Sequence, residues 1–227
     1  MLLLQLFLNV MGRFVADWVM IFAALAAITM TLGNVVAIVQ DNIKRFMAFS
    51  AISQAGYVLM GFLAPADGGV PAMIYYMLIY MFTNMAIFAV IVAHTNQTGL
   101  EEIKDYRGLS RTNPLTALAM MIALFGLAGI PPLAGFVGKF FLFSIASKAG
   151  FHWLVALAAV NSTISLFYYL RIIRQMYIEP VEKGAKALTV SPIMAVTIGV
   201  TAVVSAVIGI IPFFYEIINV QTANFSR

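Results

Sequence analysis

Long apolar runs alternate with short polar clusters along this chain. The run from Trp18 to Gln40 contains no charged residue. Runs of similar character cover Phe46 to Leu63, Ala72 to Ala93, Leu115 to Lys148, His152 to Tyr177 and Ile193 to Phe213. A membrane-crossing helix needs roughly 20 such residues, and each run is close to that length or beyond it. Met1 to Val10 is apolar but too short to cross. Between the runs stand Arg13 to Asp17, Asp41-Asn42-Ile43-Lys44-Arg45, Ala64-Pro65-Ala66-Asp67-Gly68-Gly69, Thr95 to Pro114 and Glu179 to Thr189, which hold turn formers and charge. Phe214 to Arg227 reads as a short tail. The pattern predicts an all-α integral membrane protein of about six transmembrane helices.

Composition agrees. The 227 residues are 63% hydrophobic and only 10% charged, far more apolar than a soluble domain of this size requires. The formal charge of +4 belongs to loops, so it points to membrane orientation and not to nucleic acid. Lys44, Arg45, Lys104, Arg107, Arg111, Arg171, Arg174, Lys183 and Lys186 fall on one side of an alternating thread, and Arg13, Lys148 and Arg227 on the other. The positive-inside rule places the first group in the cytoplasm and both ends of the chain outside. Cysteine is absent, which excludes disulfides and thiol chemistry. His94 and His152 are the only histidines, too few for a histidine-rich metal centre. Met1-Leu2-Leu3-Leu4 lacks the basic stretch of a cleavable signal.

One run is interrupted. Gly129-Ile130-Pro131-Pro132-Leu133-Ala134-Gly135-Phe136-Val137-Gly138-Lys139 lies inside Leu115 to Lys148. Proline removes a donor and clashes with the preceding turn, so the helix is expected to break at Gly129 to Pro132, with Gly135 just beyond. Irregular backbone at membrane depth survives only where protein covers it or water reaches it. Lys139 is the one charge well inside a span. Counting from Lys148 at 1.5 Å per residue, it lies about 13 Å deep, near the middle of a hydrocarbon core of ~30 Å. Burial there penalises the charged form of an amine. Ionisable groups at that depth mark ion pathways and proton relays. The ordinary readings are a snorkelling lysine and a simple proline kink; mid-membrane depth and the closeness of the two features favour a proton-transfer site at Lys139.

Other polar residues fall inside spans. Gln54, Tyr57 and Asn84 are candidates for a water or proton path, against the alternative of interhelical hydrogen bonds. Asn34 and Asn161 are expected to make such bonds. Tyr75, Tyr76 and Tyr80 are expected at the membrane interface. Every acidic residue lies in a loop or at a span edge, so this chain supplies no intramembrane carboxylate for Lys139. There is no nucleotide-binding glycine loop, no Ser/His/Asp set and no carboxylate pair. Any chemistry that drives Lys139 must come from another chain.

Two motifs carry a family resemblance. Asp41-Asn42-Ile43-Lys44-Arg45-Phe46-Met47-Ala48-Phe49-Ser50-Ala51-Ile52-Ser53-Gln54-Ala55-Gly56-Tyr57 resembles the shared signature of antiporter-like subunits of respiratory complex I. Leu127 through Phe140, with Gly129, Pro131, Pro132, Gly135 and Lys139, is similar to the form found in subunit N of NADH–quinone oxidoreductase, and Tyr168-Tyr169-Leu170-Arg171 fits it too. The resemblance implies a proton channel of two inverted half-repeats, each with a broken helix, and a central line of lysines and glutamates. It implies that residues 1–178 form the second half-repeat, truncated at its start, and that 179–227 form a linker and a final helix. It makes Lys139 the outlet lysine of that half-channel.

Two departures stand out. The first half-repeat, with its glutamate and two lysines, is missing, so a fragment, an alternative start or a split gene is expected. Many relatives have histidine where this chain has Gln54, and an amide cannot take up a proton. What the resemblance implies is a non-redox, proton-translocating membrane-arm subunit that binds no cofactor itself. NADH and quinone would serve the assembled complex. The partners would be other membrane-arm subunits and the lipid bilayer, in the cell inner membrane, with no nucleic acid. A silent scaffold subunit and a cation–proton antiporter subunit are the alternatives.

Overall fold

The computed structural model describes residues 15–181, 187–210 and 213–222. Eight helices of ten residues or more are seen among them: α1 Val15–Ile38, α2 Ile43–Leu59, α3 Val70–Thr98, α4 Pro114–Ala128, α5 Ala134–Lys148, α6 His152–Tyr177, α7 Pro192–Ile210 and α8 Phe213–Thr222. Four helical stretches are long and apolar enough to cross a membrane, at Trp18–Ile38, Ile43–Leu63, Asp67–Thr98 and His152–Tyr177. α4 and α5 are each 15 residues. They are the two halves of the broken run.

Local chemistry sets the ends. The Asn42 side chain accepts from Lys44 N and Arg45 N at 3.0 and 3.1 Å and starts α2, as an N-cap does. Pro114 occupies the first turn of α4, where its missing donor costs nothing. The structure corrects several boundaries. Asp17, expected in a loop, lies inside α1. The third span continues past Ala93 through polar residues to Thr98 and stops at Gly99. Phe213–Thr222, expected mostly as tail, is helical, and its Tyr215 ring stacks on Phe141 with centroids 3.9 Å apart. Arg13, Lys183, Lys186, Arg227 and the Met1 to Val10 segment lie outside the described residues.

The loops expected on one side do meet at one end of the bundle. Arg171 of α6 donates to the carbonyl oxygen of Ile38 at 3.1 Å and pairs with Asp41. Lys44 pairs with Glu101 at 2.6 Å. Backbone bonds run from Ile43 N to Glu101 O, from Ile103 N to Asp41 O and from Gly108 N to Gln175 O. Asn113 brackets Leu188 by donating to its carbonyl and accepting from its amide, at 2.9 and 2.7 Å, which fixes the approach to α7.

The core has two apolar ends and a polar middle. One cluster, with Ile43, Phe46, Met47, Ile172 and Met176, lies toward the basic loops. Another, with Met60, Met73, Leu142, Ala146 and Leu154, lies toward the opposite end. Between them are buried Asn34, Ser50, Ser53, Gln54, Lys139 and Asn161.

Candidate functional site

A helix leaves its last four carbonyls without intrahelical donors. At the end of α4 all four are accounted for. Gly129 takes a left-handed conformation, φ 84°, which glycine adopts without steric cost. Its amide and that of Ile130 turn back to Phe125 O at 3.0 and 3.1 Å, and Gly129 N also reaches Gly126 O at 3.1 Å. This is the glycine-ended stop that closes many helices. The carbonyls of Leu127 and Ala128 remain, and Lys139 Nζ donates to them at 3.0 and 3.1 Å.

A third acceptor completes the set. Ser162 Oγ of α6 lies 3.0 Å from the same nitrogen, and its own hydroxyl donates to Ala128 O. An ammonium has three donors and no acceptor, and here it meets three oxygens. The Tyr57 ring stands 4.6 Å from Nζ, a distance at which the ring face attracts a cation. The negative end of the α4 dipole points at the charge as well. Lys139 is 3% exposed. Among the described residues no carboxylate pairs with it. The arrangement holds a cation in a low-dielectric site using dipoles alone.

The break also brings the two half-helices together. A Cβ at Gly135 would overlap the carbonyl oxygen of Gly126, and one at Gly138 would press on the Tyr76 ring. Glycine at both places lets α5 lie close against α4 and α3, so that Lys139 reaches back to the preceding helix. The Pro131–Pro132 bond is cis, and both prolines are exposed on the outside of the bundle.

Of the residues singled out for a polar path, two reach this site. Gln54 donates to Leu127 O at 3.3 Å, sharing that oxygen with Lys139. Tyr57 lies under the ammonium, and its hydroxyl donates to Ala158 O at 3.4 Å. Asn84 stands apart: its side-chain oxygen is buried without a hydrogen-bond partner, and it makes no bond to this group. Asn34 donates to the side-chain and backbone oxygens of Asn161, both at 2.9 Å, as expected for interhelical bonding.

The expected interfacial placement of Tyr75 and Tyr76 needs correction. Tyr75 and Tyr76 are 1% and 2% exposed. Tyr76 OH donates to Gln54 Oε1. Tyr75 OH donates to Ile208 O at 3.0 Å. Their face of α3 packs against α5, where Gly138 makes room. Tyr168, Tyr169 and Ser50 escaped notice as site residues. Tyr169 OH accepts from Gln54 Nε2 at 3.2 Å and hydrogen-bonds to Ser50 Oγ; Tyr168 OH donates to Asn34 Oδ1 at 2.8 Å. The clue was positional: Ser50 and Gln54 are one helical turn apart on α2, so both face whatever fills that stripe.

The fold and site define a polytopic helical membrane protein with a discontinuous helix and a buried lysine held at the discontinuity. Residues 1–165 match the family described as NADH:quinone oxidoreductase/Mrp antiporter, TM. The chain is 43% identical over 210 residues to NADH-quinone oxidoreductase subunit N of Moorella thermoacetica, covering 92% of this chain and 44% of that protein. Respiratory complex I from Thermus thermophilus with bound aureothin contains a chain that superposes with TM-score 0.75 at 31% identity, over 84% of this chain and 43% of that one. The Mrp complex from Dietzia sp. DQ12-45-1b gives TM-score 0.82 at 25% identity, over 92% and 48%. This chain belongs to the NADH:quinone oxidoreductase/Mrp antiporter membrane family. It spans about half the length of the curated relatives it matches.

Proposed function

We propose that this chain contributes to proton translocation as a non-redox membrane-arm subunit of an NADH–quinone oxidoreductase. The observation that carries the reading is the set of three oxygens around Lys139 Nζ, two of them carbonyls freed by the helix break. With the proton bound, every N–H has an acceptor. With it released, one of the three contacts loses its N–H, so the two states differ in how well the cage is filled. A charge brought up by a neighbouring chain would shift that balance and drive uptake or release. Among the described residues no carboxylate is close enough to lock the ammonium in place.

NADH and quinone would be bound elsewhere in the complex. The partners are other membrane-arm subunits. The exposed prolines at the break support this, because non-helical backbone at membrane depth requires a protein neighbour or water. The location is the cell inner membrane, with the basic loops cytoplasmic by the positive-inside rule.

The test is proton translocation by membrane vesicles that carry the assembled complex, with Lys139→Met and with sodium varied. Loss of proton movement in assembled Lys139→Met complex supports the reading. Translocation at wild-type rate would make the chain a scaffold. Dependence of the charge movement on sodium would favour a cation–proton antiporter, the reading suggested by the likeness to the Mrp complex.

A further inference from the structure

The surroundings of Lys139 differ in its two directions. Toward the end that carries Lys148, the space between α2, α3, α5 and α6 is filled by Met60, Met73, Leu142, Ala146 and Leu154, all buried in one apolar cluster. Toward the basic loops a line of polar groups comes first, before the apolar cluster of Ile43, Phe46, Met47, Ile172 and Met176 closes that end. Lys139 Nζ and Gln54 Nε2 share Leu127 O. The other Gln54 N–H reaches Tyr169 OH at 3.2 Å. Tyr169 OH then hydrogen-bonds to Ser50 Oγ. Ser50, Gln54 and Tyr169 are each 1% exposed or less.

Depth along α2 shows which way the line runs. Gln54 is eleven residues from Ile43, about 16 Å at 1.5 Å per residue, and Ser50 is only about 10 Å from it. Tyr169 is eight residues, about 12 Å, from the end of α6 on the same side. The line therefore climbs from mid-membrane toward the basic loops. It stops beneath Phe46, whose ring meets the Tyr168 and Tyr169 rings edge-on at 5.2 and 5.9 Å. Both Gln54 N–H groups are committed, one to Leu127 O and one to Tyr169 O, and its oxygen is taken by Tyr76 OH. Between Ser50 Oγ and Tyr169 OH either hydroxyl can donate, so this link can point in either direction.

We propose that Ser50 and Tyr169, held in register by Gln54, form the arm through which protons pass between Lys139 and the basic-loop side. This rests on the reading of Lys139 as a proton carrier. In the step inward, a hydrated proton from the basic-loop side passes its proton to Ser50 Oγ and is left as water, while the Ser50 hydroxyl proton moves to Tyr169 OH. Tyr169 releases its own proton to a water beside Gln54, and the hydronium so formed protonates the Lys139 amine. One proton enters, one N–H bond forms, and each hydroxyl keeps a single proton, turning back before the next transfer. Gln54 is a positioning residue: its amide carries no proton but orients the hydroxyl that does.

The test uses the assembled complex in membrane vesicles. Tyr169→Phe keeps the ring and removes the hydroxyl. Removing one positioned proton-transfer group lowers its step by about a hundredfold or more. The expected result is that loss of proton translocation together with a larger solvent deuterium isotope effect. Ser50→Ala should show the same pair of changes, and Ser50→Thr, which restores a hydroxyl, should recover translocation. Assembly is checked by the amount of complex in each membrane. If Lys139→Met abolishes translocation while Tyr169→Phe and Ser50→Ala leave rate and isotope effect unchanged, the arm is wrong and the Lys139 reading stands. If Lys139→Met is also silent, both fall.

Discussion

Lys139 and Leu127 meet across the break: the lysine nitrogen lies 3.0 Å from the last-turn carbonyl of the helix before its own. The two are 12 residues apart in sequence, on two half-helices that a continuous helix would have kept in line. Interruption does two things at once. It frees Leu127 O and Ala128 O, and it folds α5 back so that a lysine one turn and a half along it can use them. Unsatisfied carbonyls in hydrocarbon cost several kcal/mol each, and so does an unpaired ammonium. Each deficiency is the remedy for the other, which explains why a charge can be buried here without a carboxylate.

Close approach of α4 and α5 depends on Gly135. A methyl group there would overlap Gly126 O and come 2.8 Å from Gly126 C. Backbone cannot yield as a side chain would. Gly135→Ala should therefore cost about 1–3 kcal/mol, the usual range for overpacking, and lower the thermal midpoint of the purified protein in detergent. Gly199→Ala is the control, since a Cβ there meets nothing within 4 Å; its midpoint should not fall.

Asn34 joins α1 to α6 through Asn161 and Tyr168. Replacing it with leucine would leave both partners short of a bond at buried positions. Polar interactions between membrane helices are worth about 0.6 to 1.7 kcal/mol, so Asn34→Leu should destabilise by about 1 kcal/mol or somewhat more. Tyr168→Phe should cost less. Because the two residues share a bond, a double-mutant cycle on unfolding free energies should give less than additive loss. Strict additivity would mean that the bond contributes nothing.

The loop tie on the basic side should depend on pH. Hydrogen bonds from the Lys44 and Asn42 side chains hold the Glu101 carboxyl below its ordinary range. A folded pKa lowered in this way stabilises the folded form above the unfolded value, about 4.3 for glutamate, and the gain is lost as pH falls through the folded one. Protection of the Ile43 and Ile103 amides against hydrogen exchange should accordingly decline below pH ~4. Glu101→Gln should remove that pH dependence. High salt should weaken it, because the pair is exposed and screened.

Much of this was legible from pattern. Apolar runs located the helices, since a span must be apolar along its length. Pro131-Pro132 and the depth of Lys139 located the site. The partners of Lys139 were not legible, because they are backbone oxygens and carry no residue identity. Tyr76 and Tyr169 were hidden for a related reason: aromatic residues suit both an interface and a packed core, and only the helix across the gap decides. Gly138 opposite Tyr76 makes that decision, and it lies 62 positions further on. The helix Phe213–Thr222 falls, but for Phe213, in a stretch read as tail because it is too short for a span; it is held by Tyr215 on Phe141.

The central claim is that the ammonium at the helix break carries protons, and the ratio of protons moved to electrons passed tests it most directly. The measurement compares assembled wild-type and Lys139→Met complexes in the same vesicles, with NADH oxidation followed alongside proton uptake. The account predicts that Lys139→Met lowers the ratio or stops turnover altogether. An assembled Lys139→Met complex with the wild-type ratio at the wild-type rate would contradict it.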